Sequence, residues 1–178
     1  MNLLHSIKAH GKDSLINVVI EIPNGSKSKI EYDINKEEFL VDRVLSTELS
    51  FPFNYGFVPE TWSKDNDPLD AVVLSSLQLD TGKVIESKII GLLATIDEKG
   101  TDTKLITIPN SETNPIYSKI NTVEDLDQKT KSNIQYFYKN YKIIEPGKWV
   151  DIDGYFSKDE AEIKLSEAIE NYHQHFQK

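Results

Sequence analysis

The chain has 178 residues, of which 38% are hydrophobic, and this is enough for one compact domain with a buried core. Its formal charge of −9 at pH 7 argues against a general nucleic-acid binder, because such proteins present a basic face to phosphates. The absence of cysteine excludes disulfides and thiol chemistry and is compatible with a reducing compartment. We expect a single domain over residues 1–178, located in the cytoplasm. No export signal is visible, and the longest apolar run, Ile89 to Ile96, is too short to cross a bilayer.

The first two thirds of the chain predict extended structure after a short helical start near residues 3–9. The predicted strands are rich in Val, Ile and Phe and are separated by Gly, Asp, Asn or Pro. The first three are expected to form an antiparallel meander. About six strands joined by short turns favour a small closed barrel over a sandwich. The predicted strands cover residues 15–22, 29–34, 39–45, 71–75, 83–96 and 104–108.

Helical patterns concentrate in the last third. Residues 123–126 predict an irregular helical segment, residues 131–141 carry apolar side chains at helical spacing, and residues 148–152 predict a final strand. A capping box, Ser157 to Glu160, begins a second long helix. The fold class is therefore mainly β with helices. The predicted buried face of the last helix comprises Ala161, Leu165, Ala168, Ile169, Tyr172 and Phe176.

The hexapeptide Asp65-Asn66-Asp67-Pro68-Leu69-Asp70 places three carboxylates in six residues around a proline. Oxygen-only ligands, without cysteine or a nearby histidine, favour Mg²⁺ or Mn²⁺ over zinc or copper. An EF-hand does not fit, because its sixth and twelfth positions would be Asp70 and Ser76 instead of Gly and Glu. A phosphotransferase loop of the DxDxT type would need threonine where Leu69 stands. The alternative is an ordinary turn in which aspartates cap backbone amides.

A second acidic turn extends from Asp97 to Lys104 and contains Asp102 on the far side of Gly100. Two aspartates around a glycine can converge on one cation, while the lysine leaves the turn towards an anion bridging that metal. The alternative is a solvated hairpin tip. Glu21 and Glu31 lie in predicted strands, where they could be ordinary polar positions. Arg43 is the single arginine among 20 basic residues, which suggests a need for its bidentate fork, although chance retention explains it equally well.

Together these segments resemble the soluble inorganic pyrophosphatases of the bacterial type, in order and spacing as well as identity. The resemblance covers most of the chain. The segments that carry it are Ile20-Glu21-Ile22-Pro23, Lys29-Ile30-Glu31, Val41-Asp42-Arg43, Pro52-Phe53-Asn54-Tyr55-Gly56-Phe57, the hexapeptide from Asp65 to Asp70, the turn from Asp97 to Lys104, Tyr141-Lys142 and Gly147-Lys148-Trp149-Val150.

The resemblance implies a five-stranded OB-type barrel with flanking helices that hydrolyses pyrophosphate with several Mg²⁺ ions, with Mn²⁺ as a possible substitute. By similarity, Asp65, Asp70 and Asp102 would hold activating metals, and Asp97 with Asp102 would hold metal that arrives with the substrate. Glu21 and Glu31 would act in the outer shell or through water. Asp67 would be the general base beside the attacking water. The phosphates would be bound by Lys29, Arg43, Tyr55, Lys104, Tyr141 and Lys142.

The sequence departs from some relatives at three positions. Phe51 stands where some members have an active-site tyrosine, so one hydroxyl contact is absent. Tyr136 and Asn140 stand where some bacterial members place histidines between subunits, which weakens any prediction of an interfacial metal. A homohexamer is still expected from the resemblance.

Two rival functions differ in class. A noncatalytic barrel that binds single-stranded nucleic acid would use aromatic and lysine side chains, but the aspartates of the two acidic segments would repel phosphates. A hydrolase of nucleotides or other phosphoanhydrides would need a base pocket or a glycine-rich phosphate loop, and the sequence resembles neither.

Overall fold

The computed structural model describes residues 1–110 and 117–177, and these contain eight strands and three α-helices. A short 3-10 helix covers Val123–Asp125, in the predicted irregular segment. The helices are α1 (Leu3–Ser6), α2 (Gln128–Asn140) and α3 (Lys158–Phe176). The strands are β1 (Ile16–Ile22), β2 (Ser28–Asp33), β3 (Glu38–Val44), β4 (Asn54–Phe57), β5 (Asp70–Val73), β6 (Val84–Asp97), β7 (Gly100–Pro109) and β8 (Val150–Phe156).

Five strands form a closed ring in the order β1-β4-β5-β7-β6, and the pairing of β1 with β6 closes it. β5 and β7 are parallel, whereas the other pairs of the ring are antiparallel. β6 is long enough to pair with β1 near its start and with β8 near its end. The predicted mainly β fold with a five-stranded ring and flanking helices is confirmed.

The predicted meander of the first three strands is wrong. β2 and β3 form a separate two-stranded sheet, while β1 lies between β4 and β6 in the ring. β1 is buried at six of its seven positions, and a strand covered on both faces needs hydrogen-bonding neighbours on both edges. β2 and β3 are mostly half-buried or exposed, which suits a hairpin at the surface of the ring.

The strand β4 was not predicted, because Asn54 and Gly56 have low strand propensity. Tertiary structure overrides that preference. The Asn54 side chain accepts hydrogen bonds from the backbone N–H groups of Asn24 and Leu79, both at 2.9 Å, and donates to the Leu77 carbonyl oxygen. Gly56 lies directly against β1, where a Cβ atom would stand 1.8 Å from the Val19 carbonyl oxygen.

Both long helices begin with a side-chain cap. The Asp127 side chain accepts from the Thr130 backbone N–H at the start of α2, and Ser157 forms the predicted capping box with Glu160 at the start of α3. α3 buries Ala161, Leu165, Ala168 and Tyr172 against the ring, as predicted, although Phe176 is 38% exposed. α2 buries Ile134, Phe137 and Tyr138 in a second core with Phe51 and Phe53. None of the described helices is both long and apolar enough to cross a membrane.

Candidate active site

A cavity of about 260 Å³ opens where the ring, the β2–β3 hairpin and the end of α2 meet. All of the site residues selected from the sequence line it, although they come from seven separate segments of the chain. They are Glu21, Lys29, Glu31, Arg43, Tyr55, Asp65, Asp67, Asp70, Asp97, Asp102, Lys104, Tyr141 and Lys142.

Strand register brings the two acidic segments together. Asp70, the first residue of β5, is the Cα partner of Lys104 on the parallel strand β7. Asp102 precedes that lysine by two residues, so its side chain lies on the same face of β7. Asp97 ends β6 at the turn into β7. The parallel pairing of β5 and β7 therefore explains how residues more than 30 positions apart share one cavity.

The carboxylate loop before β5 is held by hydrogen bonds that involve the Thr61 hydroxyl and the backbone of the loop. The Thr61 hydroxyl donates to the Val58 carbonyl oxygen at 2.6 Å and accepts from the Leu69 N–H at 2.9 Å. The Ser63 N–H donates to the Asp67 carbonyl oxygen at 2.7 Å. Asn66, between the two aspartates, has a φ of +65°, a conformation that asparagine tolerates better than most residues. The loop thus presents Asp65 and Asp67 from a defined backbone.

Lys104 is buried at 5% exposure and joins two of the proposed metal ligands. Its Nζ donates to Asp70 Oδ2 at 3.2 Å and to Asp102 Oδ2 at 2.6 Å. The ammonium also lies 5.7 Å from the ring centre of Tyr55 and 5.1 Å from that of Tyr138. Burial opposes its charge, but the two aspartates outweigh burial and raise the lysine pKa well above its usual value. Burial also raises the pKa of Asp70 to about 6, despite the neighbouring lysine.

Lys142 makes a second bridge of the same kind. Its Nζ donates to Asp97 Oδ2 at 2.9 Å and to both carboxyl oxygens of Glu98 at 3.2 Å. Lys148 also pairs with Glu98, at 3.2 Å. Burial disfavours the Glu98 carboxylate, yet hydrogen bonds from its own backbone, both lysines and the Trp149 N–H lower its pKa to about 2. This glutamate is therefore the anchor of two cavity lysines.

The β2–β3 hairpin supplies the remaining cations. Lys29 and Arg43 are Cα partners across the hairpin. The Lys29 ammonium binds Glu31 and lies 3.6 Å from Asp42. The Arg43 guanidinium donates from Nε to Asp42 at 2.9 Å and from Nη1 to Glu145 at 2.8 Å. Two carboxylates therefore orient the guanidinium and occupy two of its five N–H donors.

Two further carboxyl groups have raised pKa values. Burial, followed by repulsion from Asp65, Asp70 and Glu31, raises the pKa of Asp67 to about 6. Burial raises the pKa of Glu21 to about 8, although one of its oxygens accepts a hydrogen bond from the Tyr32 N–H at 2.8 Å. Crowded negative charge is thus incompletely balanced around the hexapeptide.

Sequence reasoning missed several residues that line the cavity or hold its cations. Glu98 lies inside the acidic turn, and Lys148 lies in a segment that carried the family resemblance, but neither was given a role. Asp42 and Glu145 orient Arg43. Tyr138 was identified only by its helical spacing, yet it lines the cavity as well as the core.

The donor set fits hard divalent cations, since eight carboxylate side chains and six Lys or Arg side chains line the cavity. Among residues 1–110 and 117–177, no group of three or more acidic, histidine or cysteine side chains is arranged so that it could hold a metal ion. Lys104 pairs with Asp70 and Asp102, and Lys142 pairs with Asp97 and Glu98, so ammonium groups now neutralise several of these carboxylates.

Comparisons with known proteins identify the same family along most of the chain. A family model described as inorganic pyrophosphatase matches residues 18–173. The inorganic pyrophosphatase of Saccharolobus solfataricus is 48% identical over 155 residues, which are 87% of this chain and 90% of that protein. A solved inorganic pyrophosphatase of Helicobacter pylori has a TM-score of 0.91 at 37% identity and covers 95% of this chain and 99% of its own. That of Thermus thermophilus also has a TM-score of 0.91, at 35% identity, with 97% and 99% covered.

Proposed function

The chain belongs to the inorganic pyrophosphatase family, a family of inorganic diphosphatases, and from this premise we propose that its cavity hydrolyses pyrophosphate to two orthophosphates with Mg²⁺ ions. The observation that carries the proposal is the composition of the cavity, where eight carboxylates are interleaved with six cationic side chains. Pyrophosphate is itself a multiply charged anion. A cavity with more carboxylates than cations would repel it unless metal ions were bound as well.

Asp65, Asp70 and Asp102 are the proposed ligands of the activating metals. Asp97, with Asp102, is proposed to bind metal that enters with the substrate, and Glu21 and Glu31 to act through water. Carboxylate oxygens are the ligands that Mg²⁺ prefers, and Mn²⁺ accepts the same set. The bound ions would lower the pKa of a water molecule so that it attacks phosphorus at neutral pH.

Asp67 is the proposed proton acceptor for the attacking water. A general base works best when its pKa lies near the operating pH, and the surroundings of Asp67 raise its pKa to about 6. Asp67 lines the cavity, where neighbouring groups crowd its carboxyl group, but the residue keeps enough contact with solvent for water to reach it. Its backbone carbonyl oxygen accepts a hydrogen bond from the Ser63 N–H, which helps to hold the loop that carries the carboxylate.

Six side chains are proposed to bind the phosphates, and two of them form ion pairs with carboxylates of the cavity in the structure. Lys104 and Lys142 are nearly buried and paired with carboxylates, so cations at those carboxylates would leave the ammonium groups available to the substrate. Phosphoryl transfer leaves the protein little covalent work, so positioning and charge stabilisation supply most of the rate. The six are Lys29, Arg43, Tyr55, Lys104, Tyr141 and Lys142.

Several wider properties belong to the same proposal. Residues 1–178 would act as one domain, in the cytoplasm, and the chains would assemble into a homohexamer. Removal of pyrophosphate would pull biosynthetic reactions forward. Neither nucleic acid nor membrane is a proposed partner.

The test is phosphate release from pyrophosphate and from ATP, each measured with Mg²⁺, with Mn²⁺ and with a chelator. We expect rapid release from pyrophosphate with Mg²⁺, weaker or altered activity with Mn²⁺, and loss of release with the chelator that excess Mg²⁺ restores. Release from ATP should be far slower. Chelator-insensitive release, or faster release from ATP, would contradict the proposal and favour the nucleotide-hydrolase alternative.

A further inference from the structure

The hydroxyl of Tyr138 is buried without a hydrogen-bond partner among residues 1–110 and 117–177. Tyr138 is 3% exposed and belongs to the buried face of α2. Native proteins pair the large majority of buried polar side-chain atoms, because a buried donor that has lost water costs free energy. A phenylalanine would fill this place in the core without that cost. We therefore expect the hydroxyl to form a hydrogen bond with a group outside the described residues, such as a bound ligand.

The ring of Tyr138 is fixed in place by its neighbours. It stacks on Phe53 at a centroid distance of 5.5 Å and an angle of 25°. Tyr141 meets it edge-on at 6.1 Å and 90°, and Phe137 at 5.5 Å and 74°. A phenol held in this way presents its hydroxyl in a defined direction and has little rotamer freedom left to lose when a ligand binds.

The same side chain lines the cavity next to the proposed phosphate ligands. The Lys104 ammonium lies 5.1 Å from its ring centre. The charged groups that act on the phenol are Lys104, Asp70 and Asp102, all of which line the cavity. The Lys104 ammonium therefore lies next to the Tyr138 ring while it is paired with the two aspartates.

We propose that Tyr138 is a further substrate-binding residue, whose hydroxyl donates a hydrogen bond to a phosphate oxygen of pyrophosphate. The inference rests on the proposed function, since it takes pyrophosphate as the anion that enters this cavity. A phenol is protonated at neutral pH, and burial raises its pKa further, so the group is a donor and needs an acceptor. Phosphate oxygens are acceptors, and a hydrogen bond to a charged oxygen is stronger than one between neutral groups.

The test compares Tyr138→Phe with Tyr155→Phe, which removes the same atom from a phenol with a known partner. The Tyr155 hydroxyl donates to the Lys131 carbonyl oxygen at 2.8 Å and lies outside the cavity lining. For each variant we would measure kcat and KM with pyrophosphate and Mg²⁺. We would also measure Tm with and without imidodiphosphate, an analogue with a nitrogen bridge that resists hydrolysis.

Tyr138→Phe should lower kcat/KM at least about tenfold, as expected for loss of a charge-assisted hydrogen bond. The Tm of the free protein should stay the same or rise, because no protein hydrogen bond is lost, and the rise of Tm with imidodiphosphate should shrink. Tyr155→Phe should do the reverse. Its Tm should fall, while kcat/KM stays within about twofold of the parent because no phosphate contact is removed.

Two outcomes would overturn the inference alone. One is a Tyr138→Phe variant with kinetic constants within about twofold of an active parent. The other is a variant whose free Tm falls as in Tyr155→Phe while the shift with imidodiphosphate is unchanged, which would assign the hydroxyl a structural role. If the parent protein itself releases no phosphate from pyrophosphate, the proposed function fails, and the inference fails with it.

Discussion

Glu21 lies on β1 and is 8% exposed, and burial raises the pKa of its carboxyl group from 4.5 to about 8. In the unfolded chain this group loses its proton near pH 4.5, whereas in the folded chain it keeps the proton until about pH 8. Between these values the folded state binds more protons than the unfolded state. Stability therefore falls as the pH rises through this window.

We predict that Glu21→Gln removes most of this pH dependence, because glutamine is neutral and still accepts the Tyr32 N–H bond. Without divalent metal, the free energy of unfolding of the parent should fall between pH 5 and 8 by an amount on the order of 3 kcal/mol greater than that of the variant. Chemical denaturation at several pH values measures this. The remaining fall in the variant should lie below about pH 6, where Asp67 and Asp70 also titrate in the folded chain.

The control is Glu38→Gln, which changes an exposed glutamate on β3. It should retain the full pH dependence of the parent. Equal pH profiles for Glu21→Gln and the parent would contradict the assignment of a buried, neutral carboxyl at this position.

Arg43 illustrates the limit of reasoning from residue type. The sequence suggested a guanidinium retained for bidentate contact with phosphate. In the structure two of its donors already bind Asp42 and Glu145, and the second lies 102 positions away. A lysine bound to both carboxylates would have one N–H donor left, whereas the guanidinium has three, so arginine also has a structural reason at this position. That partner could not be found from spacing along the chain.

At the scale of the elements, the contact of β4 with β1 determines where Tyr55 lies. Gly56 is the Cα partner of Ile20. A Cβ atom at Gly56 would meet the Val19 carbonyl oxygen at 1.8 Å and the Val19 carbonyl carbon at 2.7 Å. Both are backbone atoms of a buried strand, so neither can move aside without shifting the ring.

We predict that Gly56→Ala lowers the free energy of unfolding by more than about 3 kcal/mol, because the strands must separate to admit the methyl group. Gly25→Ala is the comparison, since a Cβ there meets open space, although its φ is +87°. Its cost should be near 1 kcal/mol, from backbone strain alone. Chemical denaturation measures both. A Gly56→Ala variant within about 1 kcal/mol of the parent would show that β1 and β4 are not packed this closely.

Local signals predicted the helices well. The capping box at Ser157 and the apolar face of α3 depend on residues within a few positions of one another, and both were found. Strand pairing depends on distant residues, which explains why the meander was wrong and β4 was missed. The proposed site residues could be selected because several short motifs carried them. Glu98 was missed because its role depends on lysines brought near by the fold.

At the scale of the whole molecule, a chain with a formal charge of −9 is proposed to bind an anion. Six cationic side chains among the acidic groups of the cavity reduce the repulsion of an anion, but the acidic groups remain in excess. Bound divalent ions would reverse the local field and attract the substrate. The hexapeptide from Asp65 to Asp70 lies at the centre of this account, with its two ends proposed to hold metal and Asp67 to take the proton.

The most direct test of that claim is steady-state hydrolysis of pyrophosphate with saturating Mg²⁺ by Asp67→Asn. The substitution keeps the size of the side chain and removes the base, so kcat should fall by about 10²- to 10⁴-fold. Asp80→Asn, at an exposed aspartate outside the cavity lining, should leave kcat unchanged. A kcat for Asp67→Asn equal to that of the parent, with the fold intact by circular dichroism, would contradict the account.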